Sequence, residues 1–371
     1  MASSFGHSFR VTSFGESHGG GVGVVIDGCP AGHSISLAKI QEFLDRRRPG
    51  QSVLSTPRKE KDQVVCLSGL EGDKTLGTPI ALVVYNQDAK KEHYSDMAKI
   101  FRPSHADYTT ELKYGIRASS GGGRASARET IARVAAAALA EQILAELHPP
   151  LKVLAYVESV KNLKAGHIEP YSLSREKIDE HMLRCPDEKT REKMSDLILE
   201  AKKKGDSVGG CIRCLCLNPP KGLGEPIFDK LEADLAKAMM SLPATKGFEV
   251  GEGFAATQLF GSQHNDHFEV QNNEIRTKTN FSGGIQGGIS NGELISMRVA
   301  FKPVATIFKE QMTVDRDMKP QAFKPKAGRH DPCVLPRAVP MVEAMTLLVL
   351  MDHFLRQRMV ASCAKVDAPL A

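Results

Sequence analysis

The residues with chemistry to offer gather in three stretches. The longest, from Arg102 to Ala140, sets Arg102, His105, Arg117, the triplet Gly121-Gly122-Gly123, Arg124, Ser126 and Arg128 ahead of an alanine-rich helix. Glycines let a backbone approach a ligand closely, and the first N–H groups of a helix have no intrahelical acceptor, so their junction is an anion site. A helix running from about Arg124 to Leu147 puts Arg124 and Arg128 one turn apart, both facing that site. The second stretch, Gly15 to Gly19, packs Glu16, Ser17 and His18 into a tight turn before a strand. The third, residues 328–333, adds Arg329, His330 and Asp331, although an Asp before Pro332 also suits an ordinary turn. Imidazoles that titrate near neutrality serve general acid–base chemistry, and guanidinium forks bind carboxylates and phosphates bidentately. Together these types point to a pocket where a small polyanion undergoes proton transfer.

The elements that must position these residues are legible in outline. Apolar residues make up 41% of the 371 and charged residues 25%, the balance of a globular protein with a real core. A net charge of +5 is too mild to imply nucleic acid, and the absence of tryptophan leaves little for base stacking. Eight cysteines follow an N-terminus without an apolar leader segment, so they are expected reduced. Cys211, Cys214 and Cys216 read as strand thiols and His264 and His267 as loop residues, with no metal site at either place. No apolar run reaches the roughly 20 residues that span a bilayer; residues 338–351 are broken by Pro340 and Glu343.

Residues 22–27 read as a strand, followed by a helix capped by Ser36 with Ile40, Phe43 and Leu44 on its apolar face. Arg46, Arg47 and Arg48 close that helix. They either line an anion site or merely suit the negative end of the helix dipole. Strands near 64–67 and 79–85 lead to a segment, 86–123, with little periodicity and a functional composition. Charged amphipathic helices over about 160–205 form a peripheral excursion. A second pass of the same element order follows, from a strand at 211–217 to an apolar helix at 338–355. The expectation is one composite domain over 1–371, with pseudo-repeats at about 8–150 and 206–360, apolar helices packed together and sheets outside.

Five segments in order, GESHGGGVGVVIDGCPAG, DRRRPG, FRPSHADYT, GGGRASARET and GRHDPCVLPRAVPMVEAM, resemble the chorismate synthase family, and the likeness runs from about residue 8 to 360. The resemblance implies an α+β fold: a β–α–β sandwich with an internal pseudo-two-fold repeat, central apolar helices lying between two largely antiparallel sheets. It implies conversion of 5-enolpyruvylshikimate 3-phosphate to chorismate and phosphate by an anti-1,4-elimination, the last common step toward the aromatic amino acids. The family requires reduced FMN (FMNH2) although nothing is oxidised overall, and it works as a cytoplasmic homotetramer. No membrane or nucleic-acid partner is expected. With no separate nucleotide-binding glycine motif, an external source of reduced flavin is expected rather than an intrinsic NADPH-dependent activity.

Carried over residue by residue, the resemblance assigns catalytic roles to His18, His105, Asp331, Ser17 and Ser126. It assigns substrate binding to Arg46, Arg47, Arg48, Arg102, Arg128 and Arg337. Flavin contacts fall on Arg124, Ala125, Ser126, Pro243, Ala244, Gly287, Lys302, Pro303, Val304, Ala305, Thr306 and Arg329. The chain departs from the family pattern at Ser104 (usually Gly), Ala125 (commonly Ser), Pro243 (typically Asn), the hydroxyl-poor run 302–306, and Val53, where an arginine is frequent and Arg58 lies nearby. Two rival readings use the same residues. A flavin-dependent oxidoreductase would consume reduced flavin with turnover, and a phosphate- or nucleic-acid-binding protein would leave the histidines without a task.

Overall fold

The computed structural model describes residues 2–55, 61–86, 99–118, 122–325 and 330–365. Its first sheet contains β1 (Ser4–Phe5), β2 (Arg10–Gly15), β3 (Gly21–Asp27), β4 (Val64–Ser68) and β5 (Ile80–Tyr85), in the order β1-β2-β3-β5-β4. The second contains β6 (Lys152–Val160), β7 (Leu163–Lys164), β8 (Gly210–Leu217), β9 (Thr245–Val250) and β10 (Ile295–Phe301), in the order β9-β10-β8-β6-β7. Every neighbouring pair in both sheets is antiparallel. The principal helices are α1 (Leu37–Arg47), α2 (Asp107–Tyr114), α3 (Thr130–Leu147), α4 (Glu188–Lys203), α5 (Leu231–Met240) and α6 (Leu335–Cys363).

The two sheets share a strand order. β2-β3-β5-β4 in the first matches β6-β8-β10-β9 in the second, with α1 and α5 in equivalent positions along the chain. The second unit begins at Lys152 rather than near 206, because the excursion is inserted between its first two long strands. KVLAYVESV gave no clear strand signal beforehand: β6 is buried on both faces, so alternation is lost. The excursion causes this. Leu173 and Ile178 cover Leu154, Tyr156, Leu215 and Leu217 on the outer face of the second sheet. A strand at 10–15 and helix α2, within the stretch read as irregular, are further additions.

α3 packs on the first sheet, α6 on the second, and the two helices pack on each other, which gives a sheet–helix–helix–sheet sandwich. Ala135 to Ala140 are all buried, and their small side chains let α6 approach closely. α6 is buried over every residue from Leu335 to Phe354. It includes Pro340 and Glu343 and extends beyond the expected 338–355 at both ends. Pro340 has no N–H for the Pro336 carbonyl, and the Arg184 guanidinium donates to that carbonyl instead. Although α6 has the length and apolarity of a bilayer-spanning helix, 94% of its apolar window is buried inside the protein.

Glu343 lies in α6 with no exposure and accepts from the Ala155 N–H at 3.0 Å and from Arg46, while Arg175 Nε stands 3.7 Å away. Asp179 joins the same network through Arg46 and Arg184. The network ties α1, α6 and the excursion together in the interior. Removing one partner of such a cluster leaves the others charged and buried. Glu343→Ala is therefore expected to cost about 3–5 kcal/mol of stability, read as a lowered urea midpoint with unchanged slope.

Candidate active site

Consecutive residues on a helix point about 100° apart, so the three arginines at the end of α1 cannot share a task. Arg46 turns into the core network just described. Arg48 has a side chain 41% exposed and lies 3.5 Å from Asp45 on its own helix. Only Arg47 faces a cleft, of about 750 Å³. Of the three arginines that the resemblance assigns to substrate, Arg46 and Arg48 do not line this cleft.

That cleft gathers the other singled-out stretches. Ser17, His18, Arg102, His105, Arg124, Ala125, Ser126, Arg128, Asp331 and Arg337 all line it, with Pro243, Ala244 and the run Lys302 to Thr306 from the second half of the chain. Gly287 does not. It sits in the turn between Ile285–Gln286 and Ile289–Ser290, a hairpin whose Gly288 carbonyl accepts from the Leu231 N–H at the start of α5. Val53 is 59% exposed and also lies off the cleft. Arg329, Arg58 and Gly121 fall outside the described residues. Arg124 and Arg128 reach the cleft differently from the expectation: Gly123–Ala125 and Ala127–Glu129 form short 3-10 turns, and α3 starts only at Thr130.

Two buried aspartates organise the cations. Asp62 accepts from Arg47 Nη2 and Arg128 Nη1, each at 2.9 Å. Burial alone would raise its pKa, but the two guanidinium groups overcome that and hold it below the usual carboxylate range. Asp107, in α2, takes a bidentate pair from Arg102 at 2.6 and 2.8 Å. His105 Nδ1 lies 2.8 Å from the same carboxylate and Arg117 Nη1 3.3 Å. Burial again opposes ionisation, and the bonds from His105 and Arg102 win, so Asp107 also stays well below the ordinary range. On the third side, Arg337 pairs with Asp331 and bonds the Arg47 carbonyl through Nε at 3.4 Å. Burial, with Arg337 and Arg128 close by, pulls Arg47 down to about 10 despite Asp62. Positive charge is in excess here.

The remaining walls are equally specific. Arg124 donates to the Gly15 carbonyl at 3.1 Å and to Ser13 Oγ at 2.7 Å, which fixes it beside the His18 turn. Ser126 Oγ accepts from the Arg128 N–H at 3.3 Å. Ser104, at φ +58°, holds the left-handed conformation that favours glycine there, and it accepts from Lys302 Nζ through both Oγ (2.8 Å) and its carbonyl (2.9 Å). The serine thus clasps a loop of the first half to one of the second. Ser17 Oγ and His330 Nε2 are buried in the cleft wall without a hydrogen-bond partner. Burial, followed by Arg102, pushes His330 down to about 4, so its ring is neutral. A second cavity of about 1170 Å³ adjoins and shares His105, Arg124, Ala125 and Glu129.

Asp62, Asp107 and His330 escaped assignment from sequence. Asp62 stands in a run of charged residues that reads as solvated surface. Asp107 was visible in RPSHAD, an acid among cations two residues after His105. His330 was read as a site neighbour and given no task.

The chorismate synthase family profile matches residues 9–355. The chain belongs to the chorismate synthase family. It is 59% identical over 365 residues to the chorismate synthase of Synechococcus elongatus, covering 98% of this chain and 99% of that one. The chorismate synthase of Nostoc punctiforme is 58% identical over 357 residues, with 96% and 98% covered. A crystal structure of chorismate synthase superposes with a TM-score of 0.76 at 32% identity, over 95% of this chain and 94% of that one. The α+β fold is that of chorismate synthase, and the enzyme is a carbon–oxygen lyase.

The Asp107 geometry fixes a pH dependence. A carboxyl held below its unfolded value of about 3.9 stabilises the fold above that value and loses the contribution as pH falls through it. Asp107→Asn is expected to lower the urea midpoint at pH 7 and to flatten its decline between about pH 5 and pH 3.

Proposed function

We propose that this cleft binds 5-enolpyruvylshikimate 3-phosphate beside reduced FMN and eliminates phosphate from it in the 1,4-anti sense to give chorismate, with no net oxidation. That is the last common step toward the aromatic amino acids. The observation that carries the reading is one cavity in which Arg47, Arg102, Arg128 and Arg337 meet His18, His105 and Asp331. A phosphorylated diacid brings roughly four negative charges at neutral pH, and donors already fixed by Asp62 and Asp107 need no reorganisation to receive them.

The residues also suit a flavin. Ser17 Oγ is a buried polar atom without a protein partner, and Lys302 and Thr306 are placed to hold a phosphate group. Arg124, Ala125 and Ser126, with Pro243 and Ala244, would line its ring. Val304 and Ala305 have only backbone to offer. When bound, reduced FMN supplies the electron density that eases C–O cleavage at an unactivated allylic position. The protein does the rest. The arginines immobilise the diacid and stabilise the departing phosphate as its bond electrons leave with it. His18 holds or donates a proton at the flavin edge. His105, with Nδ1 turned to Asp107, keeps Nε2 available for a second proton. Asp331, Ser17 and Ser126 orient the groups between ring and substrate.

The chain acts as one domain, and we assign it a homotetrameric state in the cytoplasm, with its flavin reduced by an outside agent. Phe14, Val65 and Tyr85 are exposed on the open face of the first sheet, an apolar surface suited to a second copy. All eight cysteines are free thiols, in keeping with a reducing compartment.

The deciding experiment is flavin oxidation per product under anaerobic conditions. Catalytic flavin with many turnovers is expected; one flavin oxidised per product would mean an oxidoreductase instead. His18→Ala should lower kcat about 10²–10⁴-fold while substrate still binds. Arg337→Ala should weaken substrate binding by about 2–5 kcal/mol, measured as Kd for the enzyme–flavin complex.

A further inference from the structure

We propose that His330 is a third working imidazole of the cleft, whose Nε2 takes a hydrogen bond from an N–H or O–H group of the cleft's occupant. This deepens the function proposed above and rests on it for the identity of the ligands.

Three observations carry it. His330 lines the same cavity as Arg47, Arg102, Arg128 and Arg337. Its Nε2 is buried there with no hydrogen-bond partner, although a buried polar atom left unpaired costs about 1–3 kcal/mol. The ring is also held in place: Phe308 lies 6.1 Å away centroid to centroid, and the Pro332 carbonyl two residues on accepts from the Val208 N–H at 2.9 Å.

The cleft's composition explains what such a group adds. Guanidinium and ammonium groups only donate hydrogen bonds. They satisfy phosphate and carboxylate oxygens and offer nothing to a hydroxyl hydrogen or a ring N–H. The carboxylates in and behind the cleft wall are engaged by cations, Asp331 by Arg337, Glu129 by Arg133, Asp62 by Arg47 and Arg128, and Asp107 by Arg102. Burial first, and then the charge of Arg102, keep His330 unprotonated, against an opposing effect of Asp331 and with a smaller contribution from His105. A neutral acceptor therefore stands within a ring of cationic donors. Both proposed occupants carry a matching donor, the substrate a ring hydroxyl and the flavin its ring N–H groups.

The experiment uses the full-length protein with two probes, oxidised FMN and then the enolpyruvyl shikimate phosphate added to the FMN complex. Kd values are measured for wild type, His330→Leu and His330→Gln. Leucine keeps bulk without a hydrogen bond, and glutamine restores an uncharged acceptor at about the reach of Nε2. The expected result is a loss of about tenfold or more in affinity for one probe with leucine, largely recovered with glutamine. The probe affected identifies the donor: flavin N–H or substrate hydroxyl. Unchanged affinities in the leucine variant, or a loss that glutamine does not recover, would overturn the proposal. On wild type, the Nε2 nitrogen-15 resonance of His330 should move when the responsible probe binds, and a stationary resonance with both probes would also overturn it, whatever the variants' folding. If wild type binds neither probe, the proposed function fails instead.

Discussion

Carboxylates hold this cleft together before any ligand arrives. A set of guanidinium groups poised to receive a polyanion repels itself, and the repulsion grows as the surroundings lose water. Asp62 and Asp107 resolve the conflict, each bridging cations drawn from different parts of the chain. Asp62 joins the end of α1 to the turn before α3, and Asp107 joins the RPSHAD loop to α2 and Arg117. Each aspartate engages only some of the donors on a five-donor fork, and its bonds fix the direction in which the arginines point. Burial pulls Arg47 down to about 10 even with Asp62 in contact, and Arg337 and Arg128 add to that.

The fold supports this by bringing two similar sheets against one helical layer. Repetition explains the architecture and leaves the chemistry unaccounted for. Equivalent strands and helices occur in both units, yet the cleft draws His18 and His105 from loops of the first and His330, Asp331 and Lys302 from segments of the second. The clasp between Ser104 and Lys302 joins those contributions directly. A glycine at 104 would relieve the left-handed backbone and give up the side-chain part of that clasp, so this chain exchanges local ease for a cross-unit bond.

What the sequence made legible follows from what side-chain type encodes. The family, the fold class and most cleft residues were readable because five motifs carry glycines, histidines and arginines at recognisable spacings. The triplet Arg46-Arg47-Arg48 shows what residue type leaves open, because the turn of the helix sends one inward, one to the cleft and one to water. Gly287 lies off the cleft of this chain, since a glycine hairpin looks alike in sequence wherever it packs. β6 carried no alternation because it is buried on both faces, and α6 continues past 355 in residues that are no longer buried, where the apolar pattern gave no guide. Asp62 was hidden in a charged run, where nothing local distinguishes a buried acid from a solvated one.

The bond from Arg337 Nε to the Arg47 carbonyl spans 290 positions of sequence. One consequence concerns the protein's life before it is complete. A nascent or clipped chain can carry every motif of the first unit and still lack the cavity, because α6 has not yet delivered its share. Anion affinity is then a property of the finished molecule alone, and since ligands that bind only the native state raise its stability, the metabolite pool itself would favour intact copies over fragments.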